Sequence, residues 1–270
     1  MQYDPIKRSL GKVFNQTPSL RKTFYGMLDI LLLRAWHINS MLRKLELPQK
    51  ANILDAGSGF GQYSFRMSRI FKQAQILAVD VKEEQIADCN RFFQAINEDD
   101  RVKFEVGDLT TFSQANKFEL ILSVDVMEHI EEDVQVFRNF YHSMKAGGVL
   151  LISTPSDQGG SDSHHDHEEG AHGFIDEHVR DGYSIDDIST KLKSVGFSTI
   201  EAKYSYGTAG KISWKLSMKY PILLLGVSKL FFIALPFYYL LVFPFCLLLN
   251  WIDLHTKHSS GTGLIVKAIK

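Results

Sequence analysis

Cysteine is scarce in this chain of 270 residues: Cys89 and Cys246 show neither metal-ligand spacing nor a disulfide framework. That usage fits a reducing compartment. Net charge is as small, −1 at pH 7, so no overall field draws nucleic acid and no nucleic-acid partner is expected. The first residues do not read as a signal peptide, since Asp4, Lys7, Arg8 and Lys12 interrupt what would be its apolar run. No internal repeat is present. Also missing is a glycine at the last position of G-x-G-x-x-G, where Gln62 and Tyr63 stand, and this counts against a nicotinamide oxidoreductase.

What the chain does hold is 45% hydrophobic and 23% charged residues, enough for one large α/β domain with an appendage. Its organising stretch is Ile53-Leu54-Asp55-Ala56-Gly57-Ser58-Gly59-Phe60-Gly61. An apolar run ends in a carboxylate, three alternate glycines come after it, and an apolar helical pattern (Tyr63, Phe65, Met67, Ile70, Phe71) comes next. This reads as strand, tight loop and helix. Glycines let backbone approach a ligand where a Cβ would collide, and a helix N-terminus offers unpaired N–H groups. Alone, the same pattern also describes a βα turn with no ligand.

Strand and helix then alternate. Strands are expected at 51–55, 75–80, 102–106, 118–124 and 148–153, with helices at 61–71, 83–95, 130–144 and 185–195. Ser184 should cap the last of these and Gly196 end it. Two more strands are expected, at about 197–206 and at 263–269. The pattern predicts a Rossmann-like α/β fold: a seven-stranded, mostly parallel sheet with helices on both faces. Asp55, Asp80, Asp108 and Asp125 then fall at or just beyond strand carboxyl ends, the edge where such sheets bind ligands. Four acids there repel phosphate and suit a ligand carrying positive charge.

This combination resembles the class I S-adenosylmethionine-dependent methyltransferases over about residues 50–206 and the last strand. Five motifs carry it: the glycine loop, Leu77-Ala78-Val79-Asp80, Val106-Gly107-Asp108-Leu109, residues 120–129, and Met144-Lys145-Ala146-Gly147-Gly148-Val149-Leu150-Leu151-Ile152-Ser153. The resemblance implies S-adenosylmethionine as cofactor. Gly57, Ser58 and Gly59 would hold the methionine moiety, with Asp55 near its amino group. Asp80 and Val81 would take the ribose, Asp108 and Leu109 the adenine, and Val124 would complete the cofactor set. The alternative for Asp55, Asp80 and Asp108 is helix capping or solvation at strand ends.

Ser123-Val124-Asp125-Val126-Met127-Glu128-His129 is similar to the E-x-x-E-H motif of ubiquinone-biosynthesis O-methyltransferases, which methylate phenol oxygens on polyprenylated rings. That likeness implies Asp125, Glu128 and His129 as ligands of a divalent cation such as Mg²⁺, with Asp in place of the first Glu. The other reading is that Glu128-His129 shapes the pocket floor without metal. Further on, His164, His165, His167, His172 and His178 crowd a polar, glycine-rich stretch whose spacing matches no closed zinc site. In such enzymes the segment after the fifth strand faces the acceptor. His178 and His172, with His165 behind them and His129 beside them, are therefore the candidates for removing the acceptor's proton.

Two segments lie outside this pattern. Residues 1–50 read as amphipathic helices rich in bases (Lys7, Arg8, Lys12, Arg21, Lys22, Arg34, Arg43, Lys44), suited either to an anionic membrane surface or to capping the core. Residues 208–260 form an insert before the last strand, and 230–252 contain no Asp, Glu, Lys or Arg. That is long enough for a bilayer span. Both flanking strands belong to one sheet, however, so both ends return to the same side. Pro236 and Pro244 should break the helix. Broken helices in one leaflet, or a re-entrant hairpin, are therefore expected, with a soluble lid or a dimer contact as alternatives. The methyltransferase domain would comprise 51–207 plus 261–270.

Together these readings predict a methyltransferase on the cytoplasmic face of a membrane, acting on the oxygen of a lipophilic, phenol- or quinol-like acceptor. A carbon or nitrogen of a lipid, or an inactive scaffold of the same fold, are the alternatives.

Overall fold

The computed structural model describes residues 17–159, 179–228 and 231–270. Thr17 caps the first helix, α1 (Pro18–Leu31), by accepting from Leu20 N at 3.3 Å. An extended Leu32 separates it from α2 (Leu33–Leu42). The alternating region continues as β1 (Asn52–Ala56), α3 (Gln62–Ile70), β2 (Gln75–Asp80), α4 (Glu83–Ala95), β3 (Val102–Val106) and β4 (Phe118–Val124). Then come α5 (Asp133–Ser143), β5 (Met144–Pro155), α6 (Ile185–Val195) and β6 (Thr199–Ser205). Ser184 accepts from Asp187 N at the start of α6, and Gly196, with φ of +114°, ends it.

The strands form one seven-stranded sheet in the order β3-β2-β1-β4-β5-β7-β6, where β7 is Gly263–Ile269. All pairs are parallel except the two made by β7. Successive strand residues point to opposite faces, so two cores form. Leu54, Leu77 and Ile121 pack under α5 and α6, while Ile53, Ile76 and Leu120 pack under α1 to α4. The switch in strand order lies between β1 and β4, and crossovers leaving in opposite directions there open a crevice at the carboxyl edge.

Between β6 and β7 the chain leaves the sheet as α7 (Thr208–Trp214), a π-helical turn (Lys215–Lys219) and α8 (Tyr220–Val227), and returns as α9 (Phe231–His255). The expected breaks at Pro236 and Pro244 do not occur, since α9 runs through both. Proline keeps a helical φ and removes one N–H bond per site, and the rest of α9 carries the helix across. The break falls instead at Ser228, which is extended (φ −156°, ψ 134°). Tyr238 and Tyr239 donate to Leu216 O (2.7 Å) and Ser217 O (2.8 Å) of the π-helical turn. Residues 231–245 include no buried position, and Leu240 is 75% exposed.

The foot of this arm is fixed by a buried carboxylate. Asp253 accepts from His37 Nε2 (3.0 Å), Gly207 N (2.8 Å), Gly210 N (3.1 Å) and Tyr206 N (3.2 Å), with His258 at 3.2 Å. Burial opposes its charge, but these donors hold its pKa below the ordinary carboxylate value. Burial likewise lowers the pKa of His37, so a neutral imidazole donates. Asp253→Ala would leave several buried donors without an acceptor. It should cost about 3–5 kcal/mol, read as a lowered midpoint in urea unfolding of the full chain. A loss below about 1 kcal/mol would mean water replaces the carboxylate.

Candidate active site

The glycine loop comes directly after β1 because Ala56 ends a buried strand and Gly57 takes φ of +80°. A Cβ on Gly57 would overlap the side chain of Val126, so only glycine fits. Gly57 N and Ser58 N donate to Val79 O (2.8 and 3.1 Å), which ties the loop to β2. Gly59, with φ of +52° and open space where its Cβ would be, donates its N–H to Asp80 Oδ2 at 2.8 Å. Lys82 N binds Asp80 Oδ1 at 3.0 Å. Asp80 is thus fixed by two amides while keeping lone pairs for a diol. Ser58 Oγ is buried without a partner.

Asp55 lies deeper, 2% exposed, with Ser64 Oγ donating at 2.5 Å. Burial pushes its pKa up to about 7, opposed by Ser64 and reinforced by the charge of Asp80. Asp55, Gly57, Ser58, Gly59, Asp80 and Val81 thus come together along one edge. Gly107 N donates to Asp80 O (3.0 Å) and brings the next loop alongside. A local turn shapes that loop. Asp108 is exposed, and its Oδ1 accepts from Thr110 N (2.8 Å) and Thr110 Oγ1 (2.7 Å) in an Asx-type turn. That turn aims Leu109 into the core, 5% exposed, so its side chain serves packing. Val124 is half-buried against the core beneath α1 to α4.

The expected metal ligands diverge. Asp125, in the left-handed region at φ of +52°, is ion-paired with Arg34. Glu128 is 1% exposed and accepts from Thr154 Oγ1 at 3.1 Å, its pKa raised mainly by burial. His129 is exposed. Among the described residues no three His, Cys, Asp or Glu gather to hold a metal ion. His172 and His178, with His164, His165 and His167, lie outside the described residues.

Reading the sequence missed the roof over this edge. Arg21, 2% exposed, reaches Phe60 O (2.8 Å), Asp88 Oδ2 (2.6 Å) and Tyr25 OH (2.7 Å), and Tyr25 OH donates to Phe60 O at 2.5 Å. Asp29 pairs with Arg66 and accepts from Gln62 Nε2 at 2.9 Å. The available signal was spacing: Arg21, Tyr25 and Asp29 stand four apart, on one helix face. A crevice of about 460 Å³ lined by Ser68, Arg69, Lys72, Asn97, Glu98 and Arg101 opens at the amino ends of β2 and β3, away from this edge.

Would S-adenosylmethionine fit? The cradle at Gly57 and Gly59, the orphaned Ser58 hydroxyl and the preset Asp80 match its amino-acid and ribose ends. Two acids, Asp55 and Asp80, suit its cationic character.

Comparison with known proteins agrees. Phosphoethanolamine N-methyltransferase 1 of Triticum aestivum is 32% identical over 164 residues, covering 59% of this chain and 31% of that protein. The chain therefore spans about a third of the length of that relative. The ubiquinone biosynthesis O-methyltransferase of Xanthomonas axonopodis pv. citri is 31% identical over 109 residues, 40% of this chain and 44% of that one. Among solved structures, Haemonchus contortus phosphoethanolamine N-methyltransferase 2 in complex with S-adenosyl-L-methionine superposes with a TM-score of 0.64. It covers 97% of this chain and 59% of that one, at 20% identity. A Mesorhizobium loti S-adenosylmethionine-dependent methyltransferase gives 0.55 at 18% identity, covering 88% and 98%. At such identities these structures speak to the fold.

Two outcomes test the cradle. Asp80→Ala should weaken S-adenosylmethionine binding by at least about tenfold in calorimetry, through loss of charge-assisted hydrogen bonds, and an unchanged affinity would remove Asp80 from the site. Asp55, with its pKa near 7, is largely protonated at about pH 6 in the free protein, and a cationic ligand favours the ionised form. Binding at about pH 6 should therefore release a proton, seen as a dependence of the binding heat on buffer ionisation enthalpy. The release should fade as pH rises above 7 and be absent in Asp55→Asn. A family model described as Methyltransferase domain matches residues 47–191, over half of the chain, and on that match the chain belongs to the S-adenosylmethionine-dependent methyltransferases.

Proposed function

We propose that this methyltransferase works on the cytoplasmic face of a membrane and methylates an oxygen of a lipophilic, phenol- or quinol-like acceptor. The observation that carries the reading is the path from the apolar arm to the strand switch. Asp253 of α9 holds Tyr206 N, the Tyr206 hydroxyl accepts from Arg34 N at 3.0 Å, and Arg34 meets Asp125 at the end of β4. These contacts fix the foot of the arm beside the strand switch, so an acceptor gathered on the arm's apolar face would be concentrated near the methyl donor.

The arm's dimensions support insertion into one leaflet. Residues 231–245 rise about 22 Å at ~1.5 Å per residue. That exceeds the ~15 Å of one leaflet's hydrocarbon and falls short of the ~30 Å of a bilayer. Both feet return to one point, where Ser205 pairs with Gly263. In its most apolar window only 6% of α9 is buried. Trp214, Tyr220 and Trp251 are exposed aromatic side chains of the kind that settle at headgroup level.

The cofactor supplies an electrophilic methyl carbon bound to sulfonium. The protein's part is to exclude water under α1 and α2, to align the acceptor, and to let its proton leave. The acceptor oxygen forms the new C–O bond as the C–S bond breaks, and a neutral thioether departs. A second reading is favoured by the wheat relative, a phosphoethanolamine N-methyltransferase: here the acceptor atom would be an amine nitrogen of a lipid headgroup. A third is an inactive scaffold.

Incubating membrane lipid extract with the protein and methyl-labelled S-adenosylmethionine should yield a labelled lipophilic ether. A labelled amine would select the second reading, and no labelled product at all would leave the scaffold. Phe237→Glu with Leu240→Glu should abolish co-sedimentation with phospholipid vesicles while leaving S-adenosylmethionine affinity intact. Vesicle binding that survives both charges would put the arm outside the bilayer.

A further inference from the structure

Helix α1 meets two different surroundings. One face is turned to the glycine loop. Arg21 Nη2 and the Tyr25 hydroxyl both donate to Phe60 O (2.8 and 2.5 Å), and Asp29 accepts from Gln62 Nε2 at the start of α3. Phe24 and Tyr25 each place a ring 6.0 Å from that of Phe60. The loop that aims Gly59 N at Asp80 is therefore held by α1. The opposite face carries Leu20, Met27 and Ile30, whose i, i+7, i+10 spacing sets them in one stripe. Met27 is 45% and Ile30 47% exposed. Lys22 is exposed beside them, while Asp29, the one acid of α1, is drawn away to Arg66.

The stripe runs toward the arm. Leu31, Leu32 and Leu33, where α1 passes into α2, meet Trp214 and Met218 of the arm's foot across a gap of about 10 Å³, the room of one water. Trp214 is exposed, and neither Lys211 nor Lys215 beside it is buried. With Trp214 at headgroup level, Ile30 and Met27 reach the same depth, because they stand within a turn of that contact. Three apolar side chains among Ser19, Lys22 and Thr23 are too little surface for a stable contact between copies of the chain. A short stripe flanked by lysines suits the boundary of an anionic bilayer.

We propose that α1 is a second membrane contact, its Leu20, Met27 and Ile30 stripe entering the headgroup region of an anionic phospholipid bilayer, and that this contact holds the glycine loop in its cofactor-binding shape. This rests on the reading of the arm as inserted in one leaflet. A ligand favours the state it binds best. Lipid takes the stripe with α1 in place, since lifting the helix would strip Arg21 of Asp88 and Asp29 of Arg66. S-adenosylmethionine takes the loop that α1 shapes. Each therefore strengthens the other by the same factor, and the methyl donor is held best where a membrane acceptor is at hand.

The test is the affinity of the full chain for S-adenosylhomocysteine, by calorimetry, with and without vesicles of phosphatidylcholine and phosphatidylglycerol in equal parts. The vesicles should tighten binding at least about fivefold. Met27→Gln with Ile30→Gln should still co-sediment through the arm and keep the vesicle-free affinity within about twofold, yet lose the gain. Hydrogen exchange across residues 18–31 should slow on vesicles in the wild type and not in this variant. The contact is overturned if vesicle-bound wild type binds S-adenosylhomocysteine no more tightly than free wild type, or if the variant keeps the gain. It is overturned as well if the wild type is a dimer that the two substitutions make monomeric, because a second copy would then cover the stripe. A wild type that sediments with no vesicles would end the reading of the arm, and this contact with it.

Discussion

A carboxylate removed from water must find its donors inside the protein, and Asp253 is where this chain meets that demand. At 0% exposure it collects backbone N–H groups from the start of α7 and an imidazole from α2. Three parts with separate origins in the sequence are thereby locked: the N-terminal helices, the end of β6 and the returning arm. Unpairing a buried charge is far costlier than breaking a surface pair, so this junction sets where α2 lies. With α2 set, Arg34 is delivered to the strand switch and Tyr206 is held beneath it.

The sheet supplies the other half of the site. Parallel strands with covered faces send every carboxyl end to one edge, and the reversal between β1 and β4 opens that edge. The contact with Val126 excludes a side chain at Gly57, and Gly59 turns an amide on Asp80. The glycine loop and Asp80 thus come from the sheet, and in the function proposed above the acceptor's surroundings would come from the helices laid over it. Such a division fits a fold whose chemistry is shared and whose substrates differ.

Much of the sheet was legible because strands 75–80, 102–106 and 118–124 are short, apolar and bounded by turns, and the glycine loop announces the helix behind it. Capping by Ser184 and Gly196 was legible for the same local reason. The arm's presence was readable from 230–252, but its continuity was not, because proline's effect depends on what the remaining helix can carry. Arg34 and Arg21 were hidden among bases that read as solvent-facing, since sequence does not show which side of a helix meets a partner sixty or ninety residues away. The turn at Asp108 was not legible, because Thr110 shapes that loop locally and leaves Asp108 outward and Leu109 in the core.

Ser205 and Gly263 stand opposite each other at the last rung of the β6–β7 ladder. Two strands so placed could be joined by a tight turn, and everything from α7 to the end of α9 is extra thread drawn out of one stitch. The arm is therefore a graft on a finished sheet, one that lineages of this fold could gain or shed without rethreading a single strand.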